Sequence, residues 1–320
     1  MAPNDQFIAK ADEFVAQLAP GGLLIAEQAT DFFEIATLKS KLLSAADVMT
    51  TENPQYERDK IGFLGEVLKP ATEGEALVEA ERSAPTHGKV TFTPKEYIAE
   101  IHISYDAVED NIKRDRFPEY LKGLAAKAVA RDIEKAIIQG DTAGTGSRLL
   151  KSIDGLIKTA TSHPVAGGGS RFNKNIVTKM LRSMPEQYES DEPSWKFLTN
   201  KNAAIDFWDF FGDRQTTGGD DARIGAPVGS ERAGRYGFAG GVEIMSIPLW
   251  PRNLGGTTDR TTVILCDPKN IGVCFRRDVT IEAQKNIKKR LYEVVFTVRF
   301  DAKWIHEDAV VQASDILASP

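Results

Sequence analysis

The chain has 320 residues and a mass of 35.1 kDa, a length typical of about two domains. Its 40 basic and 46 acidic side chains give a net charge of −6, which disfavours tight nucleic-acid binding because phosphates require a basic surface. No apolar run approaches the roughly 20 residues of a membrane span, and no signal-peptide pattern opens the chain. The two cysteines, Cys266 and Cys274, are too few for a disulfide framework. Composition therefore predicts a soluble, cytosolic protein of mixed α and β structure.

The first 51 residues predict an arm without a hydrophobic core of its own. Apolar residues follow a helical stripe from Phe7 to Leu18, and Pro20 ends it. A second helix-like segment spans residues 32–43, with apolar residues at Phe32, Phe33, Ile35, Leu38, Leu42 and Leu43. Neither segment is long enough to bury its apolar face alone, so we expect the arm to dock on another element.

Residues 52–96 predict a long two-stranded excursion that ends in an acidic tip. Strand-like patterns flank the tip, around Ile61, Phe63 and Val67 before it and at Val90 and Phe92 after it. The acidic tip contains Glu73, Glu75, Glu79 and Glu81. An isolated hairpin is only marginally stable in water, so we interpret the excursion as a projecting arm that a neighbouring subunit stabilises. A floppy insertion is the alternative.

A strand and a long helix follow the excursion. Apolar residues alternate with mostly polar ones from Tyr97 to Tyr105, which predicts a strand. An apolar stripe from Leu121 to Ile137, with Pro118 in its first turn and Gly140 at its end, predicts a helix of about 22 residues, roughly 33 Å long. Because the helix is apolar on one side only, we expect it to pack along a sheet.

The second half of the chain predicts shorter elements and a strand reversal. Apolar residues change register between residues 279–287 and 294–300, which predicts a turn or bulge near 285–291. The other predicted elements are a helix at 173–188, a glycine-rich loop at 212–241, strands at 242–247 and 263–266, and a last strand through Ala309, Val311 and Ala313.

Motifs for catalysis or cofactor binding are missing from the sequence. The four histidines are far apart, no G-x-S-x-G is present, and the glycine-rich stretch at 140–147 lacks the lysine of a phosphate-binding loop. The pair Asp220 and Asp221 is interpreted as solvated rather than as a cation site. We therefore predict no catalytic, cofactor or metal site. A soluble α/β enzyme with an unrecognised site stays open as an alternative.

The order of elements and several local motifs resemble the major capsid protein family of tailed bacteriophages, whose fold is shared with herpesvirus capsid floors and encapsulins. The resemblance runs from about Gly22 to Ala313. The motifs that carry it, in family order, are VTFTPKEYIAEIHISYDAVEDN, FPEYLKGLAAKAVARDIEKAIIQGD, LKSIDGLIKTA, GFAGGVEIMSIPLWP, VILCDPKNIGVCFRRDVTIE and VVFTVRFDAKWIHEDAVVQA.

The resemblance implies an α+β phage major capsid fold with an N-terminal arm, an extended β-hairpin loop, a peripheral domain with a long spine helix, and an axial domain. The implied divisions are the arm at 1–51, the extended loop and flanking strand at 52–106, a first peripheral part at 107–171 with the spine helix at 118–139, the axial domain at 172–265, and a second peripheral part at 266–320.

The function that the resemblance implies is structural. Copies of the chain would assemble into hexamers and pentamers of an icosahedral shell around double-stranded DNA, which they would hold without sequence-specific contacts. The implied location is the virion capsid, assembled in the host cytoplasm, with no membrane contact. Implied partners are the chain itself and scaffolding, portal and decoration proteins. An encapsulin-type compartment is the alternative with the same fold.

Two sets of residues are candidates for contacts between subunits. We expect the acidic tip to meet a basic cluster of a neighbour, Lys285, Lys288, Lys289 and Arg290, although both groups could simply be solvated. Some members of the family also crosslink a loop lysine to a neighbour's asparagine with help from a carboxylate. Lys60 or Lys69, Asn286 and Glu293 supply those residue types here.

Overall fold

The computed structural model of the protein describes residues 40–62, 67–70, 82, 84–104, 117–212, 238–254, 259–276 and 280–318. The α-helices within these ranges are α1 (Lys41–Ala45), α2 (Phe117–Gln139), α3 (Leu156–Thr159), α4 (Lys174–Ser183) and α5 (Lys201–Gly212). Short 3-10 helices cover Glu186–Ser194, Pro268–Asn270 and Glu307–Ala309. The predicted helix at 7–18, the acidic tip and most of the glycine-rich loop lie outside the described residues.

The strands in the described ranges form three sheets. In chain order they are β1 (Asp47–Thr51), β2 (Tyr56–Gly62), β3 (Thr86–Phe92), β4 (Lys95–Ser104), β5 (His163–Ala166), β6 (Lys196–Thr199), β7 (Phe238–Ala239), β8 (Val242–Ser246), β9 (Arg260–Cys266), β10 (Ile271–Arg276), β11 (Thr280–Asn286), β12 (Leu291–Trp304) and β13 (Val311–Leu317). β2 and β3 pair only with each other, and the other strands form a sheet of five and a sheet of six.

Strand β12 is the centre of the five-stranded sheet. Along one edge it pairs with β4, and along the other it pairs first with β11 and then with β10, which in turn pairs in parallel with β1. The even-numbered residues of β12 from Phe296 to Trp304 are buried in one core with Ile133 and Ile137 of α2. The long helix predicted at 118–139 is therefore confirmed, and it packs along a sheet as expected.

The six-stranded sheet has the order β5-β13-β9-β6-β8-β7. Strand β9 is buried on both faces. Val263 and Leu265 belong to a second core with α4 and α5, whereas Ile264 and Cys266 belong to the core of α2. Because β13 lies in this sheet beside β9, sheet membership does not follow the division at residue 266 that the resemblance implies.

Several local predictions differ from the structure. The helix predicted at 173–188 ends at Ser183, because Met184 precedes Pro185 and is extended, as residues before proline usually are. The last strand begins at Val311, since Ala309 lies in a 3-10 helix. The turn predicted near 285–291 is confirmed, and it joins β11 to β12. Strand β6 and helix α5 were not predicted.

Two glycines allow α3 to approach the end of α2. The Gly155 amide donates to the carbonyl of Gly140 at 2.8 Å. A Cβ atom built on Gly155 would lie 2.5 Å from the Gly140 nitrogen and 2.8 Å from the Ile137 oxygen, both of which are backbone atoms. The connection between these helices therefore depends on the absence of a side chain at residue 155.

We expect Gly155→Ala to lower the free energy of unfolding by about 1–3 kcal/mol, because backbone cannot move aside as a flexible side chain can. Gly88→Ala is the matched control, since its Cβ would lie 3.7 Å from Lys60 Cβ, an ordinary contact. Urea denaturation of both variants measures the difference. Equal unfolding midpoints for the two variants would contradict the prediction.

Candidate assembly surface

The β2–β3 hairpin extends from the five-stranded sheet as a sheet of two. Its register runs from Tyr56 opposite Phe92 to Gly62 opposite Thr86. Exposed side chains alternate with half-buried ones along β2, and Ile61 is 68% exposed. The predicted two-stranded excursion is confirmed over these residues. Its apolar side chains toward the tip, which continue at Val67 and Leu68 with 50% and 91% exposure, offer surface to another molecule.

The base of the hairpin is fixed in the core by an aromatic side chain. Phe92 is fully buried, and its ring lies 6.2 Å from that of Tyr56, centroid to centroid. A Cβ atom on Gly272 would lie 2.8 Å from Phe92 Cζ, so the ring fits only because β10 has glycine at that position. The hairpin therefore leaves the sheet at a defined place.

A buried carboxylate completes this anchor. Asp301 of β12 is 4% exposed and accepts hydrogen bonds from the amides of Thr93, at 2.8 Å, and Ala302, at 2.9 Å. Lys303 donates to the carbonyl of Thr91 at 2.7 Å. Burial raises the pKa of the Asp301 carboxyl, although these amide donors oppose the shift. Side chains of β12 thus hold the backbone on both sides of Phe92.

Basic residues of β2 contact two further parts of the molecule. Arg58 forms an ion pair with Asp47 of β1 at 2.6 Å. Burial lowers the pKa of Lys60, while Asp308 and Glu307 partly offset this effect by favouring the charged amine. The lower half of the hairpin is therefore tied electrostatically to β1 and to the loop before β13.

The start of the described chain is anchored in a similar way. Ser40 caps α1 by accepting from the Leu43 amide, and the Leu42 amide donates to Glu134 of α2 at 3.1 Å. Leu42 and Leu43 are buried in the core of α2. Burial raises the pKa of Glu134, and the amide of Leu42 opposes that shift. Of the predicted segment 32–43, residues 40–43 lie among the described residues, and the helix there begins at Lys41.

The turn between β11 and β12 presents most of the basic cluster. Lys288, Lys289 and Arg290 are exposed, and Ile287 beside them is 75% exposed. Arg290 adopts a left-handed conformation with φ of 53°, which closes the turn. Lys285 occupies a position on β11 opposite Tyr292. Its expected partners, the residues of the acidic tip, lie outside the described residues.

The structure brings two of the crosslink candidates together. The Asn286 amide donates to Glu293 at 3.2 Å across the β11–β12 pair. Lys60 lies on β2 and is half-buried, whereas Lys69 is exposed in the segment 67–70. This hydrogen bond joins the asparagine and the carboxylate of the predicted crosslink, which stays a prediction.

The described residues show no grouping that would hold a metal ion, and none of their helices is long and apolar enough to cross a membrane. Both cysteines are buried and unpaired, and burial raises the pKa of Cys274 to about 11 and that of Cys266 further. A thiol with a raised pKa is a poor nucleophile. His102 lies 2.6 Å from Glu100 on the exposed surface of β4.

Comparison with known proteins identifies this architecture. The family model described as "Phage capsid family" matches residues 21–314. The chain belongs to the phage capsid family. A curated relative, the putative prophage capsid protein YqbE of Bacillus subtilis (strain 168), is 32% identical over 313 residues, which cover 97% of each chain. The predicted role as a structural protein of a capsid shell is confirmed.

Solved structures share the fold at low sequence identity. The satellite phage P4 procapsid including its size determination (Sid) protein gives a TM-score of 0.66 at 12% identity, covering 99% of this chain and 98% of that one. The capsid of an empty GTA particle gives 0.60 at 16% identity, covering 88% and 90%. The holo-SrpI encapsulin complex from Synechococcus elongatus PCC 7942 gives 0.58 at 11% identity, covering 87% and 88%. The predicted capsid fold is therefore confirmed.

The anchors at the base of the two extensions were missed by the sequence analysis. Phe92 was recognised only as a strand residue, and neither Asp301 nor Glu134 was singled out. Each carboxylate binds backbone far away in the sequence, by 208 residues for Thr93 and by 92 for Leu42. An acidic residue inside an apolar strand or helix stripe was the available signal.

The raised pKa of Asp301 predicts how the stability of the Asp301→Asn variant depends on pH. A raised carboxyl pKa means that the folded chain binds the proton more tightly than the unfolded chain, so this group's contribution to stability increases as pH falls through its folded-state pKa. Asparagine does not titrate. We therefore expect the free energy of unfolding of the variant, relative to the natural chain, to fall as pH is lowered from 7 into the range just above the ordinary aspartate pKa.

Urea denaturation at each pH measures this difference, with Asp209→Asn on exposed α5 surface as the control. A free energy of unfolding of the variant that stays constant or rises, relative to that of the natural chain, as the pH is lowered would contradict the assignment of a buried, desolvated carboxylate.

Proposed function

We propose that this protein is a major capsid protein whose copies form the hexamers and pentamers of an icosahedral shell around packaged double-stranded DNA. The observation that carries the proposal is the β2–β3 hairpin. It is fixed at its base by Phe92 and Asp301, and its exposed apolar side chains have room for a partner. Such an extension gains stability when a second copy covers it, because binding to the folded state alone stabilises that state.

The net charge of the chain and its family support proposals on what the shell contains and which proteins it binds. A net charge of −6 suits a container that must not grip its DNA, since like charges disfavour adhesion. We propose assembly in the host cytoplasm, with scaffolding, portal and decoration proteins as further partners. The second candidate is a protein compartment that would enclose an enzyme instead of DNA, because an encapsulin is among the structural neighbours.

We further propose that the two cores correspond to the two capsid domains. The core of α2 and the five-stranded sheet is assigned to the peripheral domain, and the core of α4, α5 and the six-stranded sheet to the axial domain. Under this assignment β5 and β13 join the axial side. Residues 1–51 remain the arm and residues 52–106 the extended loop with its flanking strand.

Purified recombinant protein tests the shell directly. We expect sedimentation velocity and negative-stain microscopy to show closed megadalton particles or capsomer-sized rings, with nuclease-protected DNA in particles taken from an infected or induced host. Particles that contain an enzyme and no DNA would favour the compartment. A stable 35 kDa species that stays monomeric even with a scaffolding protein supplied would contradict the shell.

The same particles test the proposed crosslink among Lys60 or Lys69, Asn286 and Glu293. In this reaction the lysine amine attacks the asparagine side-chain carbonyl, an isopeptide bond forms, and ammonia leaves. Covalent rings would appear as a ladder on a denaturing gel. Only a monomer-sized band from mature particles would rule the crosslink out.

We propose that the acidic tip of one copy binds the basic cluster of another. The sequence of the tip contains Leu77 and Val78 between its glutamates, and Ile287 lies exposed among the basic residues of the turn. Opposite charges that flank apolar side chains on both partners would fix the register of the contact. Each exposed ion pair contributes about 0.2–1 kcal/mol, so the contact is expected to weaken with salt.

A charge exchange tests this contact. We expect Glu73→Lys with Glu75→Lys to raise the protein concentration needed for assembly, and Lys288→Glu with Lys289→Glu in the same chain to restore it. Lys174→Glu with Lys179→Glu, on exposed positions of α4, is the control second pair and is expected to restore nothing. Unchanged assembly and salt sensitivity in the first variant would show that both groups are merely solvated.

A further inference from the structure

A groove of about 700 Å³ lies between the end of α2, helix α3 and the loop after β8. This is the size at which proteins enclose a small molecule or a short stretch of peptide. Its lining combines apolar and basic side chains with one carboxylate, that of Asp141, and includes Lys135, Gln139, Lys158, Pro248, Arg252 and Leu254. Gln139 donates to the carbonyl of Leu249 at 2.5 Å and so holds the loop against α2.

The groove carries positive charge that the described residues do not neutralise. Lys158 is balanced, because it forms ion pairs with Asp141 at 2.6 Å and with Asp154 at 2.8 Å. Lys135 and Arg252 have no ion pair within the part of the chain that the structure describes. Leu254 beside them is 47% exposed. An occupant of this groove would therefore combine carboxylates with apolar side chains.

The described chain begins at the rim of this groove. Lys41 donates to the carbonyl of Ser246 at 3.3 Å, two residues before Pro248. The Leu42 amide binds Glu134, the residue before Lys135. Residues that precede Ser40 consequently start beside the groove. At 3.3–3.6 Å per residue, a stretch of six residues can reach about 20 Å from Ser40.

The sequence just before Ser40 has the composition that the groove requires. Residues 27–38, EQATDFFEIATL, contain Glu27, Asp31 and Glu34 with no basic side chain, and two adjacent phenylalanines. Over residues 1–39 there are six acidic and two basic side chains, a net charge of −4. The charge of this segment is thus opposite to that of Lys135 and Arg252.

We propose that residues 27–38 dock in the groove of their own chain, with Asp31 and Glu34 toward Lys135 and Arg252 and the phenylalanines toward Leu254. A short tether gives the segment an effective concentration on the order of millimolar, which favours it over the same segment from a second copy. The groove is thus the docking site of the arm. This inference concerns the single chain and does not rest on the formation of a shell.

Disulfide trapping in the dilute full-length chain tests the proposal. Leu254→Cys, at an exposed position, is combined with Phe33→Cys, while the natural cysteines are buried and contribute little background. We expect an intrachain disulfide on mild oxidation, detected on a non-reducing gel and by peptide mass. The matched control, Leu254→Cys with Ile8→Cys, is expected to give at least fivefold less.

Charge reversal supplies the second arm of the experiment. Lys135→Glu with Arg252→Glu is expected to lower the disulfide yield about fivefold and to speed tryptic cleavage after Lys39 about tenfold. Asp31→Lys with Glu34→Lys in the same chain is expected to restore both values. Urea midpoints of the variants confirm that each one folds.

Four results would overturn the proposal. The first is an interchain disulfide as the main product, which would make a second copy the occupant, and the second is an equal disulfide yield from the test and control pairs. The third is a disulfide yield and a cleavage rate that do not change when Lys135 and Arg252 are reversed in charge. The fourth is failure of the second charge reversal, at Asp31 and Glu34, to restore both values. Each of these results is independent of whether the chain forms particles.

Discussion

The structure depends on strand β12, which pairs with three strands at once. Its even-numbered side chains from Phe296 to Trp304 form the floor on which the spine helix α2 packs, and its two edges hold β4 on one side and β11 and β10 on the other. The same strand supplies Asp301, which holds the base of the hairpin. Because one strand sets all these positions, the hairpin and the basic turn have fixed places relative to α2.

Two buried carboxylates, Asp301 and Glu134, bind the backbone where an extension leaves the body of the protein. Removing a carboxylate from water is unfavourable, and burial raises the pKa of both groups. A hydrogen bond from an amide to a charged acceptor contributes about 1.5–3 kcal/mol and offsets part of that penalty. Each carboxylate therefore fixes the place at which the hairpin or the arm joins the body of the protein.

The sequence predicted long, periodic elements well and short or distant features poorly. The stripe of α2, bounded by Pro118 and Gly140, could be recognised because local periodicity and end signals agree. Strand β6 has only four residues, too few for an alternation to be recognised. In α5, Trp208 and Phe210 are exposed although they are apolar, and this obscures the buried stripe of the helix. Asn200, which caps α5 by accepting from the Ala203 amide at 2.7 Å, was the overlooked signal. The anchors of Asp301 and Glu134 join residues far apart in the chain, and no local pattern encodes such pairs.

A protein that self-assembles must also avoid non-specific pairing between edge strands of different copies, and strand β4 illustrates how. It has ten residues and pairs with β12 alone among the described strands, so within that part of the chain it forms an edge of the five-stranded sheet. Long open edges are sites of aggregation unless charge interrupts them. Exposed Lys95, Glu96, Glu100 and His102 stand along β4, with Ile98 as the exposed apolar exception. Charged side chains thus interrupt the exposed apolar surface of β4, which disfavours pairing of this strand with a strand of another copy.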